Sequence, residues 1–147
     1  MKDKRTRRHI LIVEDEPDFA ALMQAFLHEG NFSTSVAHDG ENAVELLFEN
    51  KPDLITLDIQ MPRKTGLLFY RQVKNMDRYR DVPVVVVTGL TRDDPDMASF
   101  IRSFLEVEKI PSPDAYLEKP VNKEKLMSTV EEAFRKRSEA VPRSCTG

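Results

Sequence analysis

The chain has 147 residues, 40% of them hydrophobic, with a formal net charge of −3 and a pI near 5.7. That length suits one domain with a single two-faced core, and the mild acidity argues against nucleic acid as the main partner of the folded body. No apolar stretch approaches the roughly 20 residues of a membrane span, and the amino terminus lacks a signal-peptide core. The single cysteine, Cys145, cannot form an internal disulfide, so a cytoplasmic protein without a membrane partner is expected.

Residues 1–8 carry Lys2, Lys4, Arg5, Arg7 and Arg8 against Asp3 alone and read as a basic, flexible arm. The run Ile10-Leu11-Ile12-Val13 is short, rich in β-branched residues and apolar on consecutive positions, as buried parallel strands are. Phe19, Leu22, Met23, Phe26 and Leu27 follow the i, i+3, i+4 rule, with Pro17 suited to a first helical turn and Gly30 to a carboxyl cap. Thr34–Ala37 is a weaker strand, nearer an edge, and Ala43, Val44, Leu47 and Phe48 form a second helical stripe before Pro52. Leu54–Leu57 and Val84–Val87 are further buried strands, separated by a helix that opens near Thr65-Gly66 and carries Leu67, Leu68, Val73 and Met76. A fourth helix starts at Pro95 and runs to about Glu108 with Met97, Phe100, Ile101, Phe104 and Leu105 apolar. The strand Ala115-Tyr116-Leu117 and a fifth helix with Leu126, Val130, Ala133 and Phe134 follow, and 138–147 read as a flexible tail. The Phe and Met residues of these stripes are expected only to cover the sheet, and His9, His28 and His38 to lie on the surface. Strands alternating with helices imply right-handed βαβ crossovers and a parallel sheet covered on both faces.

Four polar residues stand where four apolar runs end: Asp15 beside Glu14, Asp58, Thr88 and Lys119. In an open parallel sheet these all gather at the carboxyl edge, where such folds build their sites. Asp58 has the chemistry of a nucleophile toward a phosphoryl donor. A phosphoryl group approaching several carboxylates is repelled unless a divalent cation and Lys119 balance the charge. The hydroxyl of Thr88 can donate to a phosphoryl oxygen.

With Met61-Pro62 and Gly66 after Asp58, Thr88-Gly89 after the fourth strand and Lys119-Pro120 after the fifth, the chain resembles the response-regulator receiver domains of two-component signalling. The resemblance covers about residues 9–137. It implies an α/β flavodoxin-like doubly wound sheet of five parallel strands in the order 2-1-3-4-5 with five helices. It implies Asp58 as phosphoacceptor, and Mg²⁺, or Mn²⁺ in its place, held by Glu14, Asp15, Asp58 and the backbone carbonyl of Gln60. Thr88, Gly89 and Lys119 would bind the phosphoryl group, Tyr116 would turn inward behind Thr88 as a switch, and the Lys119-Pro120 peptide would be cis. The implied donors are a sensor histidine kinase or a histidine phosphotransfer domain. Output would pass to a downstream protein through helix 4, strand 5 and helix 5, with a phosphorylation-linked homodimer as one form of it. The chain would be a signalling phosphoacceptor rather than an enzyme.

Thr88 and Lys119 lie 31 residues apart, where receivers usually need nearer twenty. The additional chain falls in 91–114, expected either to form a partner-specific docking face or to be a neutral insertion. Leu90 is apolar where a hydrolytic water must approach, which predicts a long-lived phosphoryl state. Three other readings stay open: a relay shuttle passing phosphate to a phosphotransfer domain, a receiver-like scaffold acting without phosphorylation, and a Mg²⁺-dependent aspartyl phosphohydrolase. The last usually places a second acid two residues after the nucleophile, where Gln60 stands.

Overall fold

The computed structural model describes residues 7–59, 66–89 and 95–140. Five strands, β1 (His9–Val13), β2 (Ser33–Ala37), β3 (Leu54–Leu57), β4 (Val84–Thr88) and β5 (Ala115–Glu118), form one parallel sheet in the order β2-β1-β3-β4-β5. Five helices connect or follow them: α1 (Pro17–Glu29), α2 (Gly40–Glu49), α3 (Gly66–Lys74), α4 (Pro95–Glu108) and α5 (Lys123–Ala140). This is the doubly wound order that the resemblance implies, with β2 at an edge as its polar composition suggests.

Side chains of a strand alternate between faces, and the consecutive apolar runs feed two cores. Leu11, Val13, Ile55, Leu57, Val84 and Val86 pack under α2, α3 and α4. Ile10, Ile12, Leu54, Val85 and Val87 pack under α1 and α5. Register aligns the strand ends, since Val13 pairs with both Ala37 and Leu57, and Leu57 with Val86.

Several helix details depart from the sequence reading. Leu22, Phe48 and Phe100 are 42%, 58% and 57% exposed, so these members of the stripes do not cover the sheet. An i, i+3, i+4, i+7 pattern spans a broad arc, and a flat sheet buries only its centre. The outlying rings pack sideways, Phe48 against Tyr79 at 6.0 Å and Phe100 against Phe104 at 6.4 Å between centroids. Gly30 caps α1, but the left-handed residue that turns the chain is Asn31, with φ 70°. Helix α5 continues past residue 137 to Ala140, and Arg137 Nε anchors it by donating to Asp114 Oδ2 at 2.8 Å. His9 is half-buried rather than fully on the surface: its ring sits between the Ser33 and Ser35 hydroxyls at 2.7 and 2.9 Å, and burial lowers its pKa. Among the described residues no helix is long and apolar enough to cross a membrane.

The connector between α4 and β5 is tied down. Tyr70 donates from its hydroxyl to the Pro111 carbonyl at 2.6 Å, and Asp114 Oδ1 accepts from the Val84 amide at 2.9 Å. Arg71 reaches Glu108 across α3 and α4 at 3.4 Å. The additional chain length is therefore built into the fold from Pro95 onward, while residues 90–94 lie outside the described part.

Candidate phosphoryl and metal site

Backbone hydrogen bonds carry the ladder one residue beyond the strands and so set the site. Glu14 N donates to Ala37 O at 2.9 Å, Asp58 N to Val13 O at 3.0 Å, and Lys119 N to Thr88 O at 3.0 Å. Each polar residue thus begins where the apolar pairing stops, at the carboxyl edge. The Lys119-Pro120 peptide is cis.

Glu14, Asp58 and Thr88 are buried, at 2%, 4% and 0% exposure. One carboxylate oxygen from each of Glu14, Asp15 and Asp58 lies within 4.8 Å of the others. Lys119 Nζ stands 3.3 Å from Glu14 Oε1 and 3.5 Å from Asp58 Oδ2, bridging the two buried acids. Glu14 Oε2 also accepts the Glu16 amide at 3.2 Å. Even so, burial and then the Asp58 charge push the Glu14 carboxyl up to about 7, with Lys119 pulling the other way. A cluster whose buried acid binds a proton that readily is short of positive charge.

The donor set itself is the test of whether a metal fits here: three carboxylates, one oxygen of each within 4.8 Å of the others. A divalent cation adds the missing charge, and the donors are all hard oxygens of the kind Mg²⁺ takes. With Mg–O distances of about 2.1 Å, oxygens sharing one ion stand about 3 to 4 Å apart, so small side-chain rotations bring this set into range. Glu14, Asp15 and Asp58 therefore suit Mg²⁺. Gln60, the source of the implied fourth ligand, lies outside the described residues, as do Met61, Pro62 and Leu90.

The structure brings Glu14, Asp15, Asp58 and Lys119 together, with Thr88 joined to Lys119 through the backbone. Tyr116 is set apart from them on β5, paired with Val86 and 45% exposed. Gly89 directly follows Thr88 at the same edge. One contributor was missed by the sequence reading, and one that it named gains a physical reason. Phe19, assigned only to the sheet-covering stripe, places its ring 4.4 Å from Lys119 Nζ. Its place two residues after Pro17, in the first turn of α1, was the available signal. Gly66 packs α3 directly on Asp58: a Cβ there would lie 2.5 Å from the Asp58 carbonyl oxygen. Only glycine allows so close a backbone approach.

Comparison with known proteins agrees with this geometry. The family model described as the response regulator receiver domain matches residues 10–131. The phosphate regulon transcriptional regulatory protein PhoB of Escherichia coli is 30% identical over 129 residues, covering 88% of this chain and 52% of that protein. The chain thus spans about half the length of the curated relatives it matches. The solved signal receiver domain of a signal transduction histidine kinase from Syntrophus aciditrophicus is 30% identical with a TM-score of 0.74, covering 92% of this chain and 97% of that one. Response regulator protein TrrA from Thermotoga maritima, solved in complex with Mg²⁺-BeF, is 26% identical with a TM-score of 0.68, covering 86% and 98%. Receiver domains are phosphoacceptor signalling modules that bind Mg²⁺ at an acidic pocket and take their phosphoryl groups from histidine kinases or phosphotransfer proteins. With the family model spanning the whole sheet and the acids and lysine gathered at its carboxyl edge, this chain belongs to the response regulator receiver domain family of two-component signalling.

Proposed function

We propose that this chain accepts a phosphoryl group on Asp58 from a phosphohistidine, carried by a histidine kinase or a phosphotransfer domain. The observation that supports the reading best is the buried Asp58 carboxylate within 3.5 Å of Lys119 Nζ and inside the three-acid cluster. An Asp58 oxygen forms the bond to phosphorus as the phosphorus–nitrogen bond of the donor breaks, and the electron pair stays on the imidazole. Glu14, Asp15 and Asp58 would hold Mg²⁺, or Mn²⁺ in its place, with the Gln60 carbonyl as the further ligand the resemblance implies. The ion supplies charge neutralisation for the incoming phosphoryl oxygens. Lys119 meets those oxygens as a point charge. Thr88 donates its hydroxyl to one of them, and the backbone amides of Ile59 and Gly89 add donors.

Formation of the phosphoryl–Thr88 contact then shifts an equilibrium between two arrangements of the α4, β5, α5 face. The half-exposed Tyr116 ring is the element that turns inward as Thr88 moves. Output follows through contacts of this face with a downstream protein, or with a second copy of the chain.

The test is incubation with a small phosphodonor and Mg²⁺, followed by intact mass measurement of the native protein and of Asp58→Asn. A gain of one phosphoryl group in the native protein alone is expected. A native protein that stays unlabelled beside a labelled control receiver would favour the phosphorylation-independent scaffold.

A further inference from the structure

Lys119 has a flexible four-carbon stem and a strongly hydrated charge, yet its ammonium must stand in one place when a donor arrives. Two walls are evident in the carboxylates of Glu14 and Asp58, at 3.3 and 3.5 Å. The third is aromatic: the Phe19 ring, with its centroid 4.4 Å from Nζ. That distance lies within the range at which a cation is held by the negative face of a ring. Helical side chains lean toward the amino end of their helix, so a residue in the first turn of α1 overhangs the β1–α1 junction. The body of Phe19 packs with the α1 and α5 core, which fixes the ring while one face meets the lysine.

We propose that Phe19 is a positioning residue for phosphoryl transfer, its ring face completing the seat that holds the Lys119 ammonium over the Asp58 carboxylate. The proposal rests on Asp58 being the phosphoacceptor. An ammonium has three donors and no acceptor, and two carboxylates alone leave it able to swing outward to water. The ring closes that direction without competing for the phosphoryl oxygens, because it offers no lone pair and no formal charge. It thereby selects the lysine conformer that the transfer step needs.

The test uses the full chain and three substitutions. Phe19→Leu keeps apolar bulk without the ring face, Phe19→Tyr keeps the face, and Lys119→Arg assigns the lysine signal. With a small phosphodonor and saturating Mg²⁺, Phe19→Leu is expected to lower the labelling rate about fivefold. Phe19→Tyr is expected to stay within about twofold of native. In lysine-selective NMR, the Lys119 ε-methylene of the native chain resonates upfield of the other lysines because it lies over the ring, and Phe19→Leu abolishes that displacement. The displacement reports that the ring lies over the lysine, while a merely structural role would move the unfolding midpoint without separating Leu from Tyr in labelling rate. Native labelling with equal rates in Phe19→Leu overturns the proposal and leaves the phosphoacceptor reading intact. A native lysine signal without upfield displacement also overturns it. A native chain that is never labelled refutes the reading beneath it, a distinct outcome.

Discussion

Substituting Gly66 by alanine tests how tightly α3 controls Asp58, the proposed acceptor. The added Cβ would lie 2.5 Å from the Asp58 carbonyl oxygen and 2.7 Å from Ile59 Cα. Both neighbours are backbone, so no side-chain rotation relieves the contact, and either α3 or the acceptor segment must shift. Overpacking of this kind costs about 1–3 kcal/mol. Alanine's greater helix propensity returns at most about 1 kcal/mol. A net loss of about 1–2 kcal/mol corresponds to a fall of about 3 to 6 °C in the unfolding midpoint of a domain this size. Because the displaced atoms belong to Asp58 and its successor, labelling by a small phosphodonor should fall at least about tenfold, in line with the sensitivity of transfer to misplacement by about 1 Å. Gly30→Ala is the control. Its Cβ would meet Met127 Cε at 2.1 Å, but that atom ends a flexible side chain and can swing aside. Thermal unfolding and intact-mass labelling of both variants decide the matter. A Gly66→Ala protein with native midpoint and native labelling rate would refute the argument.

Lys74 donates to the Arg80 and Val82 carbonyls at 2.9 and 3.1 Å, and burial holds its pKa down to about 8 from 10.5. The unfolded chain then binds the proton more strongly, so stability should rise with pH from 8 to 10, by an amount on the order of 1–2 kcal/mol. Denaturant melts across that window check this, and a flat or falling profile would contradict it. Glu14 behaves oppositely in metal-free protein: its folded pKa of about 7 exceeds 4.5, so its contribution is full below pH 4.5 and lost as pH rises through 7. Mg²⁺ should accordingly raise the melting midpoint more at pH 8 than at pH 5, and equal increments at both would count against these carboxylates as the ligands. Tyr70→Phe removes the hydrogen bond to Pro111 and should cost about 1 kcal/mol in urea unfolding. It should also speed amide exchange in the 110–114 connector without changing labelling, and unchanged exchange would show that this bond does not secure the segment.

The elements most legible in the sequence were those with a local cause. Consecutive apolar residues, mostly β-branched, at 10–13 and 84–87 announced strands buried on both faces, because only a sheet covered twice removes the need to alternate. Pro17 and Pro95 marked helix starts for a backbone reason that tertiary context does not alter. Phe48 and Phe100 misled because hydrophobicity at helical spacing does not say where the sheet ends. His9 misled because the two serine hydroxyls that bury its ring belong to β2, which only pairing sets beside β1.

The sequence by itself determined the strand-end quartet, since a run of apolar residues stops where its ladder stops, and chain order then places Asp15, Asp58, Thr88 and Lys119 at one edge. Tertiary structure alone decided how these groups are held. Lys119 meets Glu14 across 105 residues of chain, and Tyr70 meets Pro111 across 41. The same holds for the Phe19 ring beside the lysine and the bare backbone of Gly66 against Asp58. Such contacts depend on where two separately folded pieces come to rest, and no local propensity encodes that distance.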